Sequence, residues 1–281
     1  MVSAQALAAR RERHQRVTLA RRARHRLRTR FAESPALYLP FARLKYPGPS
    51  PEVISSATEL VIDGYTRCAS TFAVYALQLA QPVPVRLAHH LHAPAQLVAA
   101  ARAGVPALAV IREPREAILS QLIREPDVDM RDALAAFARF YRRLLPWRNR
   151  MVVAGFEEVT KDFGAVTRRV NDRFGTAFAE FEPTEQNTNR CFELIKLRGT
   201  LSPVLLGFES GTVTAGYLFP EIALLTRRSQ GAAAARTAAA WVPSPDRDRS
   251  KAALREQWEQ PALALLRDRA QWVYQAFRRP Q

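Results

Sequence analysis

The segment that follows the apolar run at 59–63 carries residue types that suit the binding of an anion. A strand that feeds a loop opening a helix presents free backbone N–H groups and the positive end of the helix dipole. The sequence lacks the GxxxxGK[ST] pattern of the usual phosphate loop. The alternative interpretation is that the Ser–Thr pair at 70–71 is a plain helix N-cap. The candidate residues are Gly64, Tyr65, Thr66, Arg67, Cys68, Ala69, Ser70, Thr71 and Phe72.

A second candidate phosphate site follows the apolar run at 105–111. Arg112 stands at its end, and Ser120 lies eight residues later. This spacing allows one guanidinium and one hydroxyl to converge on a single phosphate. The sequence Ile-Arg-Glu-Pro recurs at 123–126, but there no apolar strand precedes it and no serine follows at the eighth position. We therefore assign phosphate binding to Arg112 and Ser120, and we expect Arg124 to be a solvated or helix-end charge.

Three of the five histidines lie within four residues, at the end of a third apolar segment: His89, His90 and His92. A neutral imidazole can accept a proton at physiological pH. Strand alternation would place His90 and His92 on the same face, which makes His90 the first candidate base and His92 the second. Packed or surface histidines are one alternative. A zinc site is another, although the sequence offers no further ligands nearby.

Apolar strand patterns and helical periodicities alternate along the chain and predict an α/β fold. We expect a central parallel sheet flanked by helices, with a phosphate-loop-like strand–loop–helix site. Ligands of such sheets bind beyond the carboxyl ends of the strands, where the candidate residues lie. The predicted strands cover 59–63, 83–92, 105–111 and 151–154, and the predicted helices cover 70–80, 94–103, 130–145 and 163–174, with one more beginning near Pro114.

The chain divides into a basic lead-in and one domain. Residues 1–57 form an arginine-rich tail and a proline-punctuated, irregular segment, and residues 58–281 form a single α/β domain. Periodicity fades at about 195–245, which indicates a variable substrate-facing region or a poorly ordered one. Helical periodicity returns at 250–278.

The charge of the chain favours anionic partners. The formal net charge is +16, and residues 1–30 hold ten arginines against one acid. Nucleotides, acidic substrates or an anionic membrane surface contacted by the tail fit this excess, whereas nucleic acid is less favoured. A solvated tail without a partner is the alternative.

Cysteine usage and hydropathy favour a cytoplasmic protein. The two cysteines show neither metal nor disulfide spacing, and no apolar run is long enough to span a membrane. The N-terminus lacks the apolar core of a secretory signal. The high Arg and Ala content with few Lys is typical of a GC-rich bacterial coding sequence.

The two loops together resemble the sulfotransferases that use 3′-phosphoadenosine-5′-phosphosulfate (PAPS). Residues 64–72 resemble their 5′-phosphosulfate loop, and residues 112–120 resemble their 3′-phosphate motif with the same Arg-to-Ser separation. Phe156-Glu-Glu-Val159 is similar to a Tyr-Glu-Asp-Leu stretch after a later strand, and residues 170–175 to the helix end behind it. The resemblance spans about 60–190. In the family, Lys is usual in place of Arg67, and Ser and Gly in place of Cys68 and Ala69.

The resemblance implies an enzyme that moves a sulfuryl group from PAPS to a hydroxyl or amine, leaving 3′-phosphoadenosine-5′-phosphate (PAP), without a metal. Arg67 would stabilise developing charge, His90 or His92 would act as the base, and Arg249, or else Arg247, would close over the 3′-phosphate. Ala69 fits the loop if its φ is negative. The acceptor would be a small molecule or a glycan. A phosphate-loop kinase and a non-catalytic protein that binds a nucleotide or an anionic surface are the alternative functions.

Overall fold

The structure is a computed structural model of the 281-residue chain. It describes residues 19–46, 52–198, 202–228, 252 and 254–279. Within these ranges the protein is α/β, with a four-stranded, all-parallel sheet flanked by helices. The prediction of the fold class is therefore confirmed.

The four strands are short and are buried along nearly their whole length. They have the spatial order β2-β1-β3-β4. Continuous apolar runs form such strands because helices cover both faces of a parallel sheet, so that no face alternates with solvent. Their bounds are Leu60–Gly64 (β1), Leu87–His89 (β2), Ala107–Ile111 (β3) and Val152–Gly155 (β4).

Helices connect the strands and extend the domain at both ends. Six of them begin at Pro or at an Asp or Thr cap, which suits the first helical turn. The first helix, α1, covers residues 19–31. The others are Pro35–Lys45 (α2), Ser70–Ala80 (α3), Pro94–Ala103 (α4), Pro114–Arg124 (α5), Met130–Leu144 (α6), Phe156–Lys161 (α7), Phe163–Phe174 (α8), Glu185–Leu197 (α9), Ser202–Glu209 (α10), Ala215–Arg228 (α11) and Ala264–Arg278 (α12).

The strand order places a topological switch between β1 and β3. From β1 the chain moves outward through α3 to β2, and α4 then carries it back across β1 to β3. The connections that leave β1 and β3 thus start at the same edge of the sheet and diverge. Such a switch leaves a crevice beyond the carboxyl ends of the strands, and this is where α/β sheets bind their ligands.

Four sequence-based expectations about secondary structure differ from the structure. The lead-in contains α2, because Pro35 occupies the first helical turn and burial of Tyr38, Leu39 and Ala42 outweighs the interruption at Pro40. The strand expected at 83–92 is confined to β2. Pro84 cannot donate to a sheet, and His90 turns to a positive φ.

The region expected to lack periodicity, about 195–245, contains α10 and α11, while residues 229–250 lie outside the described part of the chain. The helix expected over 250–278 is divided. Residues 254–258 are helical, a short 3-10 turn follows at Pro261–Leu263, and α12 completes the segment. Pro261 explains the break, since it cannot continue the preceding helix.

The described part of the arginine-rich tail is attached to the domain. Arg22 pairs with Asp129 at 3.1 Å, and Arg26 with Asp132 at 2.7 Å. Arg139 of α6 donates to the Thr29 hydroxyl at 2.8 Å. These contacts dock α1 along α6. The acids of this surface, rather than solvent alone, therefore neutralise part of the tail's charge.

A search of the described helices for a membrane-spanning segment found none with sufficient length and apolar character.

Gly64 allows β1 and β3 to approach closely. A substitution at this position therefore tests how tightly the two strands pack. A Cβ at Gly64 would lie 2.2 Å from the Val110 carbonyl oxygen, which belongs to the backbone of its neighbouring strand. We expect Gly64→Ala to lower the free energy of unfolding by roughly 1–3 kcal/mol, as overpacking does. Urea denaturation measures this change.

Gly216→Ala is the matched control, because the nearest atom to its added Cβ is 3.9 Å away. Alanine is also preferred in helices, by about 0.5–1 kcal/mol. Equal urea midpoints for Gly64→Ala and the wild type would show that the sheet yields at this position.

Candidate anion-binding site

A cavity of about 500 Å³ lies beyond the carboxyl ends of β1 and β3, at the switch in strand order. Both candidate phosphate loops open into it. Its wall combines a helix N-terminus, arginines and a few apolar side chains, a composition typical of a site for an anionic organic ligand. The lining residues are Arg28, Thr66, Arg67, Ala69, Ser70, Thr71, Phe72, His92, Arg112, Ser120, Arg124, Glu125, Phe156, Thr160, Phe192 and Ile195.

The first part of the loop after β1 anchors the site rather than lining it. The Gly64 amide donates to Asp63 Oδ1 at 2.8 Å, and the Tyr65 amide donates to the Tyr141 hydroxyl at 3.1 Å. The Tyr65 and Cys68 side chains are buried, and the Tyr65 hydroxyl donates to Gln121 Oε1 at 2.7 Å. Of the predicted loop, the residues from Thr66 to Phe72 other than Cys68 line the cavity.

The N-terminus of α3 has no capping side chain. Its N-cap residue is Ala69, at φ 73°, so the Ser–Thr pair lies inside the first helical turn and the plain N-cap interpretation is wrong. The Ser70 hydroxyl is buried and has no hydrogen-bond partner among the described residues. The amides of a first helical turn lack intrahelical acceptors. A bound anion would satisfy these amides and the Ser70 hydroxyl together.

The two loops are joined by direct contacts. Arg67 Nε donates to Ser120 Oγ at 3.0 Å, and Arg112 Nη1 donates to the Arg67 carbonyl oxygen at 3.3 Å. The Arg112 guanidinium stacks on the Phe156 ring at 3.9 Å and lies 3.7 Å from the Glu116 carboxylate. Stacking and this i,i+4 pair fix the plane of the guanidinium. The four residues predicted from the two loops and the later motif thus meet in one place.

Arg28 and Arg124 also line the cavity, and sequence reasoning missed both. Arg124 was expected to be a solvated or helix-end charge; it does end α5, but it is partly buried, and this burial lowers the pKa of its guanidinium. It stands one helical turn beyond Ser120, on the same face of α5. That i,i+4 spacing was a signal in the sequence. Nothing in the sequence placed Arg28, whose position depends on the docking of α1.

His92 lies in the cavity wall, with 26% of its side chain exposed. Its Nδ1 lies 2.9 Å from the Gly64 carbonyl oxygen. A carbonyl can only accept, so Nδ1 carries the proton and Nε2 is left as the basic nitrogen. Burial is the main cause that lowers the pKa of His92, to about 4, so the ring is neutral at physiological pH.

His90 lies behind the wall rather than in it. Its Nε2 is 2.8 Å from Thr71 Oγ1, and its Nδ1 contacts Nδ1 of His89, so both ring nitrogens are engaged. Burial lowers its pKa well below the ordinary value. The strand ends at His89, and His90 and His92 have φ values of 60° and 49°. The alternation that we used to pair them therefore does not apply.

A buried polar cluster supports the histidines from behind. Glu209 of α10 accepts from Tyr75 at 2.5 Å and from Arg198 Nε at 2.7 Å and Nη2 at 3.1 Å, and it lies 4.0 Å from His89 Nε2. Burial alone would raise the pKa of Glu209, but the hydrogen bonds and charge of Arg198, together with His89 and the Tyr75 hydrogen bond, outweigh it, and the net pKa is lowered. The cluster ties α9 and α10 to the end of β2.

His89, His90 and Glu209 also form a group whose ligand atoms all lie within 4.8 Å of one another. The sequence offered no further ligand near the histidines, whereas the fold brings Glu209 beside them from 119 residues away. Arg198 and Tyr75 already bind its carboxylate, and a fixed guanidinium repels a second cation. We therefore describe the group as a hydrogen-bonded cluster that orients the histidines.

Backbone strain is concentrated at this site. Among the described residues, the non-glycine residues with positive φ are Arg67, Ala69, His90 and His92. The condition under which Ala69 would fit the family's loop, a negative φ, is therefore not met. A left-handed conformation costs roughly 1–2 kcal/mol for such residues, and it persists where surrounding contacts impose it. All four residues lie at the carboxyl ends of β1 and β2.

Arg249 and Arg247, predicted to close over a phosphate, lie outside the described residues.

A wider groove of about 1240 Å³ lies away from the cavity, along the end of α4 and the start of β4, and it is rich in arginine. Its Arg150 donates to the Ala101 carbonyl at 3.5 Å, and Arg173 donates to that of Asn149. We assign these arginines to capping of backbone carbonyls.

Comparisons with known proteins identified no relative of this chain. No model of a protein family matches the sequence, no curated protein matches it, and no solved structure matches the fold. The function must therefore be argued from the geometry of the cavity and from the residues that line it.

The buried Asp63 carboxyl should make the free energy of unfolding depend on pH, which can be measured. Burial raises its pKa to about 7, although it accepts hydrogen bonds from the amides of Gly64 and His92. The folded state then holds a proton that the unfolded state has lost, so this group destabilises the protein as pH rises from about 4 to about 7. We expect a slope of at most about 1.4 kcal/mol per pH unit.

Asp63→Asn should remove this slope, and urea denaturation at several pH values would measure it. The neutral histidines contribute the opposite slope in both proteins, so the informative quantity is the difference between variant and wild type. A difference that stays constant between pH 4 and 7 would contradict a protonated Asp63.

Proposed function

We propose that the protein is a PAPS-dependent sulfotransferase, with the cavity beyond β1 and β3 as its donor site. The observation that carries this proposal is the junction of the two loops, in which Arg67 of the first bonds Ser120 of the second at 3.0 Å. One cavity thereby offers two separate anion-binding groups. A nucleotide with anions at both its 5′ and 3′ positions would need such an arrangement.

The residues present fit such a donor. The uncapped N-terminus of α3, the buried Ser70 hydroxyl and Arg67 would hold the 5′-phosphosulfate. Arg112 and Ser120 would hold the 3′-phosphate, with Phe156 fixing the plane of the guanidinium. PAPS supplies an activated sulfuryl group when bound. Arg67 and the helix N-terminus would stabilise the negative charge that develops there during transfer.

His92 fits the role of base better than His90. Its Nδ1–H donates to the Gly64 carbonyl, so Nε2 can take the proton of an acceptor hydroxyl. It lines the cavity, whereas both ring nitrogens of His90 are engaged by Thr71 and His89. His90 would then be a positioning residue that holds Thr71.

Two other functions fit the cavity less well. A phosphate-loop kinase would use a lysine in the loop and a carboxylate to hold Mg²⁺. Arg67 occupies the loop, and Asp63 uses Oδ1 to accept the Gly64 amide. A non-catalytic protein that binds the same nucleotide would share the anion-binding groups, and the transfer experiment below separates it from an enzyme.

Calorimetric titration with PAP and with ADP tests the donor site. We expect the wild type to bind PAP at least about tenfold more tightly than ADP, since only PAP carries a 3′-phosphate. Arg112→Ala should abolish this preference. Arg115→Ala is the matched control, because Arg115 lies on the same helix but pairs with Glu259 outside the cavity. Equal binding of both nucleotides by the wild type would refute the proposal.

Replacing the histidines separates the two candidate bases. With labelled PAPS and the best acceptor from a panel of phenols and glycosides, His92→Asn should lower kcat by roughly 10²- to 10⁴-fold, the usual contribution of a general base. The affinity for PAP should stay within about twofold of the wild type. A larger loss of kcat in His90→Asn than in His92→Asn would restore His90 as the base.

A further inference from the structure

The cavity carries more positive charge than its two loops supply. Four arginines line it against one carboxylate, that of Glu125, and His92 is neutral because burial lowers its pKa. Arg67 and Arg112 belong to the loops assigned to the donor. The other two, Arg28 and Arg124, come from different elements and stand outside both motifs.

Arg124 extends the binding face of α5 by one turn. Ser120 and Arg124 are four residues apart on the same helix, so their side chains lie on one face. The guanidinium is partly buried, and both desolvation and the nearby Arg198 disfavour its charge, against the opposing effect of Glu125. An anion bound in the cavity would offset this cost.

Arg28 reaches the cavity mouth from the docked helix α1. The ion pairs of Arg22 with Asp129 and of Arg26 with Asp132 hold this helix six and two residues before Arg28, and the contact of Arg139 with Thr29 holds it directly after. The charge of Arg28 acts on both Tyr38 and His92. Arg28 is therefore presented next to the proposed base by a fixed helix rather than by a free tail.

We infer that Arg28 and Arg124 bind an anionic group of the acceptor, so that the acceptor is an acidic molecule carrying a carboxylate, phosphate or sulfate. This inference rests on the proposed function, which assigns Arg67 and Arg112 to the donor. Arg28 would then contact this group from the side of His92, and Arg124 from the side of Ser120. The arginine-rich tail contributes to recognition of the substrate through α1.

The test uses two acceptor probes that differ in charge, 4-nitrophenyl-β-D-glucuronide and 4-nitrophenyl-β-D-glucoside, titrated into PAP-saturated protein. The wild type should bind the glucuronide roughly tenfold or more tightly than the glucoside. Arg28→Gln and Arg124→Gln should each lose most of this preference while their affinity for PAP changes by less than about twofold. Arg30→Gln, an exposed arginine of the same helix outside the cavity lining, should behave as the wild type.

Three results would overturn the inference. They are equal affinity for the two glycosides, absence of glucuronide binding, and an equal loss of PAP affinity in Arg28→Gln and Arg124→Gln, which would assign both arginines to the donor.

A titration of nucleotide-free protein with inorganic sulfate separates this inference from the proposed function. If PAP is not preferred over ADP but both variants weaken sulfate binding, the donor assignment fails and the anion site of these arginines stands.

Discussion

The site depends on the parallel pairing of β1 with β3. At the end of this pairing Gly64 lies against the Val110 carbonyl, too close for any Cβ. The two strands therefore finish side by side, and the chain leaving each one enters the same crevice. Without this approach the Arg67–Ser120 contact could not form, and the two loops would remain separate anion sites of little specificity.

A second layer of buried polar groups keeps the crevice in shape. Asp63 accepts the Gly64 and His92 amides, and Tyr141 accepts the Tyr65 amide while donating to the Val110 carbonyl. His92, one of the left-handed residues, is held by its contact with Asp63, and the carbonyl of another, Arg67, accepts from Arg112. Hydrogen bonds thus offset part of the cost of these unfavourable backbone conformations.

Two regions outside the central sheet complete the site. The helix α1 brings Arg28 to the mouth of the cavity, and Glu209 with Arg198 supports the histidines from behind. Both contributions come from segments whose sequence alone did not indicate these residues as part of a site: an arginine-rich tail and a region of weak periodicity. Their charged residues acquire a defined role because acids on α6 and a buried carboxylate on α10 fix their positions.

The sequence by itself determined the α/β class, the four strands, half of the helices, and the two loops with Arg67, Arg112 and Ser120, because these follow from local periodicity and from residues a few positions apart. It left the φ of Ala69 open, missed α2 and ranked His90 above His92 on strand alternation that ends at His89. Only the tertiary structure placed Arg28 and Glu209. Burial, docking of helices and long-range ion pairs decide such positions, and they join residues that are more than a hundred positions apart.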